Sequence, residues 1–422
     1  MKERLIAGLD LGSSAVRLVA GQIIMGQDKR ESLQIVGATE ISSQGISKGL
    51  VNSLEEAVTT ISSCLEQAER QIGLPVTDAY VGICGTYMTD QIQRGVIGVS
   101  RPDGEIRDED VQRAMDSVRA LINPSNYEIL HILPRGFTVD GQTGIKDPVG
   151  MQGIRLEVDA HVIQGVASHV RNVTKAILRT GIDMNELVYS PLCLSDVVAT
   201  SRQKDVGVAI INVGASTTSL TVYEEGELLH SAVIPIGSDH ITSDIAIGLR
   251  TSLEIADTLK RQYVNAASQH VNKFQDIDLQ AFGAPQSEIV SLRFVSDIAQ
   301  ARVEEIFERV EQELKKIDRS GMLPAGALLT GGGVKLEGVP EVAKQVLRLP
   351  AVVAQVQVPP TALEDILQDP AFSTALGLVR WGYETERLGQ DNGKYQGAGA
   401  KGGSLVKRIC SPIKHMFKSF IP

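Results

Sequence analysis

Asp10, Gly12, Ser13 and Ser14 sit between two apolar runs, Leu5 to Leu9 and Ala15 to Gly21. Apolar runs around a glycine- and serine-rich turn read as a β-hairpin. Backbone N–H groups in such a turn can cradle phosphate oxygens, and its aspartate can hold a hard cation through water. One x-D-x-G-x-S turn is weak evidence, because surface hairpins use the same residues for turn geometry alone. A second copy adds weight. VAIINVGASTTSLTVY, 208–223, lies on the first hairpin at a constant offset of 202, setting Ala209 on Ala7, Asn212 on Asp10, Gly214 on Gly12, Ser216 on Ser14 and Leu220 on Leu18, with Thr217 closing its turn. The third signal is ALLTGGGVKLEGVPEVAKQVL, 327–347, a short strand running into Gly331, Gly332 and Gly333 and then a helix from near Pro340. Consecutive glycines let backbone approach a ligand closely, at an entropic cost; a plain strand-to-helix turn is the alternative. Together the three segments predict a nucleotide cleft, with Lys335 among its contacts and Mg²⁺ held by Asp10 through water.

The elements that must position these residues follow from a chain of 422 residues, long enough for two or more domains. A 22% charged and 43% hydrophobic composition excludes global disorder. The fold class expected is α/β, two duplicated halves around the cleft. Residues 83–165 read as a unit of their own, with strand-like 94–100, 129–139 and 155–163 and a helix at 108–121 begun by an acidic turn. A net charge of −10 argues against a nucleic-acid groove. No apolar run reaches the 18 residues or so that a spanning helix needs, and no signal-peptide plan opens the chain. Cys64, Cys84, Cys193 and Cys410 stand singly, without a C-x-x-C pair, so a reduced, cytoplasmic setting is expected.

Charge is uneven. Residues 401–422 carry five basic residues and no acid, which leaves −15 on 1–400 (36 basic against 51 acidic). The Gly-rich polar stretch 384–403 reads as a flexible linker. Beyond it, 404–422 regains a helical period. Leu405, Ile409, Ile413, Phe417 and Phe420 gather on one face, Lys407, Arg408, Lys414 and Lys418 fall largely on the other, and Pro412 kinks the pattern. That is the plan of an in-plane helix on an anionic membrane surface; a helix docking back on the protein's own core is the alternative.

Two phosphate hairpins and a strand-GGG-helix, in that order, resemble the actin, Hsp70 and sugar-kinase superfamily. Longer stretches resemble one branch, the bacterial cell-division FtsA family: QTGIKDPVGMQGIRLE (142–157), GISKGLVNSL (45–54), IGSDHITSDIAIGL (236–249) and ARVEEIFE (301–308). The resemblance implies an actin-like fold with subdomain 1A at 1–82 and 166–203, an inserted 1C at 83–165, 2A at 204–238 and 312–383 (the last part returning to 1A), 2B at 239–311, the linker at 384–403 and a membrane-targeting helix at 404–422. It implies polymerisation on the inner face of the cytoplasmic membrane at the septum, binding of the FtsZ C-terminal peptide on 2B near Arg302 and Arg293, and recruitment of later division proteins through 1C. Asp257 and Lys260 match positions that approach the ribose. The family's first-turn lysine is Ala15 here, with Arg17 two residues on. Where the superfamily's second hairpin carries two acids, this chain has Asn212 and Ser219, so ATP is expected to bind and to turn over slowly. A small-molecule kinase, or a pilus-assembly actin homologue acting as a peptide adaptor, are the other readings.

Overall fold

Hydrogen bonding on both sides fixes the first strand. The computed structural model describes residues 4–25, 31–121, 126–359 and 361–393. β1 (Arg4–Leu11) turns into β2 (Ala15–Met25), and β3 (Glu31–Ser42) continues the meander. α1 (Leu54–Ile72) crosses to β4 (Asp78–Ile83), which runs parallel to β1. Ser53 caps α1 by accepting the Glu56 N–H, Glu55 and Glu56 favour its positive end, and Gly73 ends it at φ 75°.

The chain then leaves the sheet for an insert of β5 (Met88–Gly98), α2 (Asp108–Leu121), β6 (Tyr127–Val139), β7 (Gln142–Ile145) and β8 (Arg155–Val166). Its sheet is ordered β5-β8-β6-β7 and has a core of its own, centred on Phe137, Leu156 and Val158. α3 (Ala167–Arg179), β9 (Asp183–Tyr189) and α4 (Ser190–Val198) complete the first half.

The second half begins with α5 (Ser201–Val206) and repeats the plan. β10 (Val208–Val213), β11 (Thr218–Glu224) and β12 (Glu227–Ile234) form the meander. α6 (Ser238–Leu249), α7 (Leu253–Gln262) and α8 (Leu292–Lys316) precede β13 (Ala327–Thr330), α9 (Val339–Leu347) and β14 (Ala351–Val353). The two main sheets have the same order, β9-β4-β1-β2-β3 and β14-β13-β10-β11-β12. Register repeats as well. Asp10 lies opposite Arg17 and beside Gly82; Asn212 lies opposite Ser219 and beside Thr330, each antiparallel pair 202 positions apart.

α10 (Ser373–Gly393) returns to the first half and packs on β1 and α4. A Cβ on Gly8 would come within 2.5 Å of the Ala375 carbonyl oxygen, and one on Gly377 within 2.5 Å of that of Cys193, so this approach requires glycine. The helix corrects the linker reading, which began at 384. Leu376, Leu378 and Val379 in its first turns are buried, and polar contacts hold the turns that follow. Trp381 Nε1 donates to Glu186, Tyr383 Oη donates to the Glu31 carbonyl, and Glu386 pairs with Arg4 at 2.9 Å. Tertiary partners thus override a composition that reads as loose. Residues 394–422, including the basic amphipathic stretch, lie outside the described residues. Among the described residues no helix is long and apolar enough to cross a membrane.

Candidate functional site

The ends of β1 and β10 bring the two turns to one cleft. Asp10 sits at its floor, half-buried, and desolvation pushes its carboxyl up to about 6, with Arg17 opposing. Cys84, just past β4, lies between the halves: burial, then the charge of Asp10, push its thiol up to about 12, with Ser219 of β11 opposing. Ser13 Oγ accepts the Gly49 N–H at 3.3 Å, and Gly49 itself lies against the Cys84 carbonyl. The Ser14 carbonyl accepts Ser43 N–H. A Cβ on Gly12 would fall 2.6 Å from the Ala15 carbonyl oxygen, so the tight turn requires glycine, and the Arg17 guanidinium beside it is bonded to Glu40 at 2.6 Å and lies 5.7 Å from the Phe372 ring centroid. Arg17 therefore edges the turn with its charge already partnered.

In the second turn Gly214 N–H donates to the Thr217 carbonyl, while the Gly214 and Ala215 carbonyls accept N–H groups from Ser238 and Asp239 at the start of α6. Ser216 Oγ donates to Asp239 at 3.4 Å. The helix N-terminus is thus seated on the turn. Gly331 adopts φ 90°, and a Cβ there would fall 2.2 Å from Asn212 Oδ1, so the glycine lets the strand after β13 close on Asn212. Gly332 faces open space and Gly333 packs on Val213 and Ser238. Lys335 is engaged by Asp369 at 2.6 Å.

Asp257 and Lys260 lie on α7, joined to α6. Lys260 Nζ contacts Asp257 at 2.8 Å and donates to Thr242 Oγ1 at 2.6 Å. Burial pushes the Asp257 carboxyl up, but Lys260 and Arg261 outweigh it and hold it below the usual range. Arg293 and Arg302 belong elsewhere, on α8. Arg293 pairs with Asp297, and Arg302 is gripped by Asp244 of α6 through two bonds and by Glu305.

The family profile described as "Cell division protein FtsA" matches residues 209–377, and that of the "SHS2 domain inserted in FTSA" matches 85–164. FtsA of Pseudomonas aeruginosa is 30% identical over 387 residues, 92% of this chain and 91% of that one. FtsA of Bacillus subtilis is 33% identical over 384 residues, 91% and 84% of the two chains. The chain belongs to the FtsA family of cell-division proteins. Its fold is actin-like. The pilus-biogenesis PilM–PilN complex aligns at TM-score 0.62 with 17% identity, over 90% of this chain and 98% of that one. MreB5 of Spiroplasma citri bound to ADP aligns at 0.54 with 10% identity, over 92% and 99%.

For an FtsA-family chain, the cleft also contains residues that sequence reading passed over. Gly82 stands to Asp10 as Thr330 stands to Asn212, so Ile83-Cys84-Gly85 takes in the first half the place of Gly331-Gly332-Gly333 in the second. The motif YVGICG hides that equivalence because only one of the three glycines is kept. Ser190 Oγ, at the head of α4, is buried against Gly82 with no hydrogen-bond partner among the described residues. No group of three His, Cys, Asp or Glu side chains among the described residues could hold a metal directly. A single desolvated carboxylate fits Mg²⁺ that keeps most of its waters.

Ionising Asp10 in this setting costs stability. Its folded pKa, near 6, exceeds the unfolded carboxylate value of about 4, so the cost is absent below about pH 4 and fully present above about pH 6. Asp10→Asn should therefore stabilise the nucleotide-free protein at pH 8 by on the order of 2 kcal/mol, with the advantage gone at pH 4. Denaturant titration at both values measures it; an equal effect at the two would contradict a desolvated carboxylate.

Proposed function

We propose that this chain is an ATP-binding, polymerising adaptor that works on the cytoplasmic side of the cell membrane at the division septum, tethering the FtsZ ring and recruiting later division proteins through its insert. Membership of the FtsA family over almost the whole chain carries the reading. Nucleotide binding is supported by the cleft itself and by the MreB5 relatives in the fold, described with ADP and with AMPPNP.

In this reading Gly12–Ser14, Gly214–Thr217 and Gly331–Gly333 surround the phosphates, and Asp257 and Lys260 hold the ribose side. Mg²⁺, when bound, neutralises phosphate charge, and Asp10 positions its waters. Asn212 can accept or donate a hydrogen bond but brings no negative charge and no base, and Ser219 opposite it is neutral. The nucleotide then serves chiefly to bridge two halves. A small-molecule kinase would need a further general base, and the basic tail has no role there.

The partner site proposed lies between α6 and α8. Ile247 is 76% exposed and Ile298 packs against Gly248, while Arg302, held by Asp244 and Glu305, would exchange one of these carboxylates for one of the peptide, so an apolar and acidic peptide would find both kinds of contact. The tail, 404–422, would bury its apolar face in the acyl boundary while its lysines meet anionic headgroups, each worth about 1 kcal/mol near the surface. One such helix binds reversibly, and a filament multiplies it by avidity.

Steady-state ATPase should run far below the roughly 1–10³ s⁻¹ of typical enzymes, although ATP raises the melting temperature; Asn212→Asp should speed whatever turnover exists. Several turnovers per second in the native chain, or no thermal shift at millimolar ATP, would sink this account. At the partner site, both Ile247→Glu and Arg302→Glu should reduce binding of the FtsZ C-terminal peptide at least tenfold by anisotropy, with ATP-induced stabilisation intact; unchanged affinity moves the site. Finally, Phe417→Glu with Phe420→Glu should release the protein from anionic vesicles in co-sedimentation, and neutral vesicles should bind the unmutated chain poorly. Sedimentation indifferent to lipid charge would make the tail a docking helix instead.

A further inference from the structure

A cavity of about 420 Å³ lies where α4, α10, the insert and the second half meet. Its lining includes no residue of either phosphate turn or of 331–333. Leu133 of the insert, Leu192 of α4, Leu228 of β12 and the Trp381 ring supply apolar wall. Its volume, and its position at a junction of domains, are those of small-molecule sites.

Two tyrosines cross between the halves here. Tyr223 Oη donates to Ser195 Oγ at 2.9 Å, and the Tyr189 and Ser231 hydroxyls lie 2.9 Å apart. Tyr223 and Ser195 both line the cavity. The polar lining is mostly satisfied internally. Lys204 bonds Asp196 at 2.7 Å and Ser195 at 3.1 Å, and rests 4.9 Å from the Tyr223 ring centroid. Trp381 Nε1 is spent on Glu186.

Arg380 differs. It is half-buried on α10 and has no hydrogen-bond or ion-pair partner among the described residues. It also lines an adjoining, largely apolar cavity of about 300 Å³ with Leu33, Val358, Leu376 and Tyr383; Glu384, one turn on along α10, lines that cavity too and pairs with Arg387 at 3.7 Å. Asp205, also in the lining, is exposed, where water serves its charge. A partly desolvated guanidinium with five donors is matched best by a planar carboxylate.

We propose that this cavity binds a small apolar acid, its hydrocarbon or aromatic body against Leu133, Leu192 and Trp381 and its carboxylate on Arg380. The wall contains the Ser195–Tyr223 bond, which joins the halves, so such a ligand has different contacts when the halves rotate. It therefore biases their closure from a site that shares no lining residue with the phosphate turns. This site stands independently of the nucleotide and septal readings.

The test uses the full-length protein and an apolar anion as probe, anilinonaphthalene sulfonate, followed by fluorescence and competed with decanoate. One saturable site per chain is expected, displaced by decanoate. Arg380→Gln should weaken it about tenfold or more, the scale of one charge-assisted hydrogen bond. Thr385→Trp, a half-buried lining position on α10, should fill the space and remove the site while the melting temperature stays within a few degrees. If that variant fails to fold, Arg380→Gln alone decides. Non-saturable binding, or saturable binding with native affinity in Arg380→Gln, overturns the proposal, the second outcome placing the dye elsewhere, as on the basic tail.

Discussion

A carboxylate at the end of a strand bonded on both sides is the fixed point of this molecule. β1 pairs with β2 through eight consecutive positions and with β4 at Gly8, Leu9 and Asp10. Asp10 therefore has almost no backbone freedom, and its side chain is held at the cleft floor even though desolvation disfavours its charge. What surrounds it is arranged to make that tolerable. Arg17, directly opposite, supplies positive charge, and Glu40 on β3 orients Arg17. α10 can close the sheet from beneath only because Gly8 has no side chain. The second half has the same frame with the charge removed, since Asn212 can hydrogen-bond without the ionisation penalty.

Much of this frame is legible in the amino-acid order. The hairpins announce themselves through Asp10-Leu11-Gly12 and Asn212-Val213-Gly214, and the 202-residue offset carries through to hydrogen-bond register. The helix at 108–121 is equally plain from its acidic start. What escaped depends on partners distant in sequence. Glu40 becomes the partner of Arg17 only through the β2–β3 register, and Asp244 reaches Arg302 only because α6 packs on α8. Neither pairing leaves a local pattern. The stretch after Glu384 looks unstructured because its composition lacks an apolar period, yet Arg4 and Glu31 in the first strands provide the contacts that extend α10. The role of Ile83-Cys84-Gly85 was hidden for a different reason, because a cysteine replaces the residue that would have made the run resemble Gly331–Gly333.

The halves are tied together at several places. Tyr189–Ser231 and Tyr223–Ser195 join them through buried hydroxyl pairs. The insert adds another tie: Lys146, within the IKDPVGM segment, donates to the Glu225 carbonyl at the β11–β12 turn. That segment is thus structural as well as characteristic, since it sets how the insert meets the second half. At the cleft the second half is tied to the start of α10 as well: Thr330 Oγ1 and Ser373 Oγ lie 2.9 Å apart, and the Gly331 N–H donates to the Pro370 carbonyl.

Any ligand that contacts Gly12–Ser14 on one wall and Gly214 or Gly332 on the other gains contacts only when both walls are close, which is the differential affinity that shifts a conformational equilibrium. Catalytic groups are not required for that effect. Asn212 and Ser219 keep the hydrogen-bonding geometry of the second hairpin and carry no charge that would hold a metal or activate water. In the reading proposed above, the cleft would hold a nucleotide and hydrolyse it slowly, and the bound nucleotide would act by bringing the two walls together.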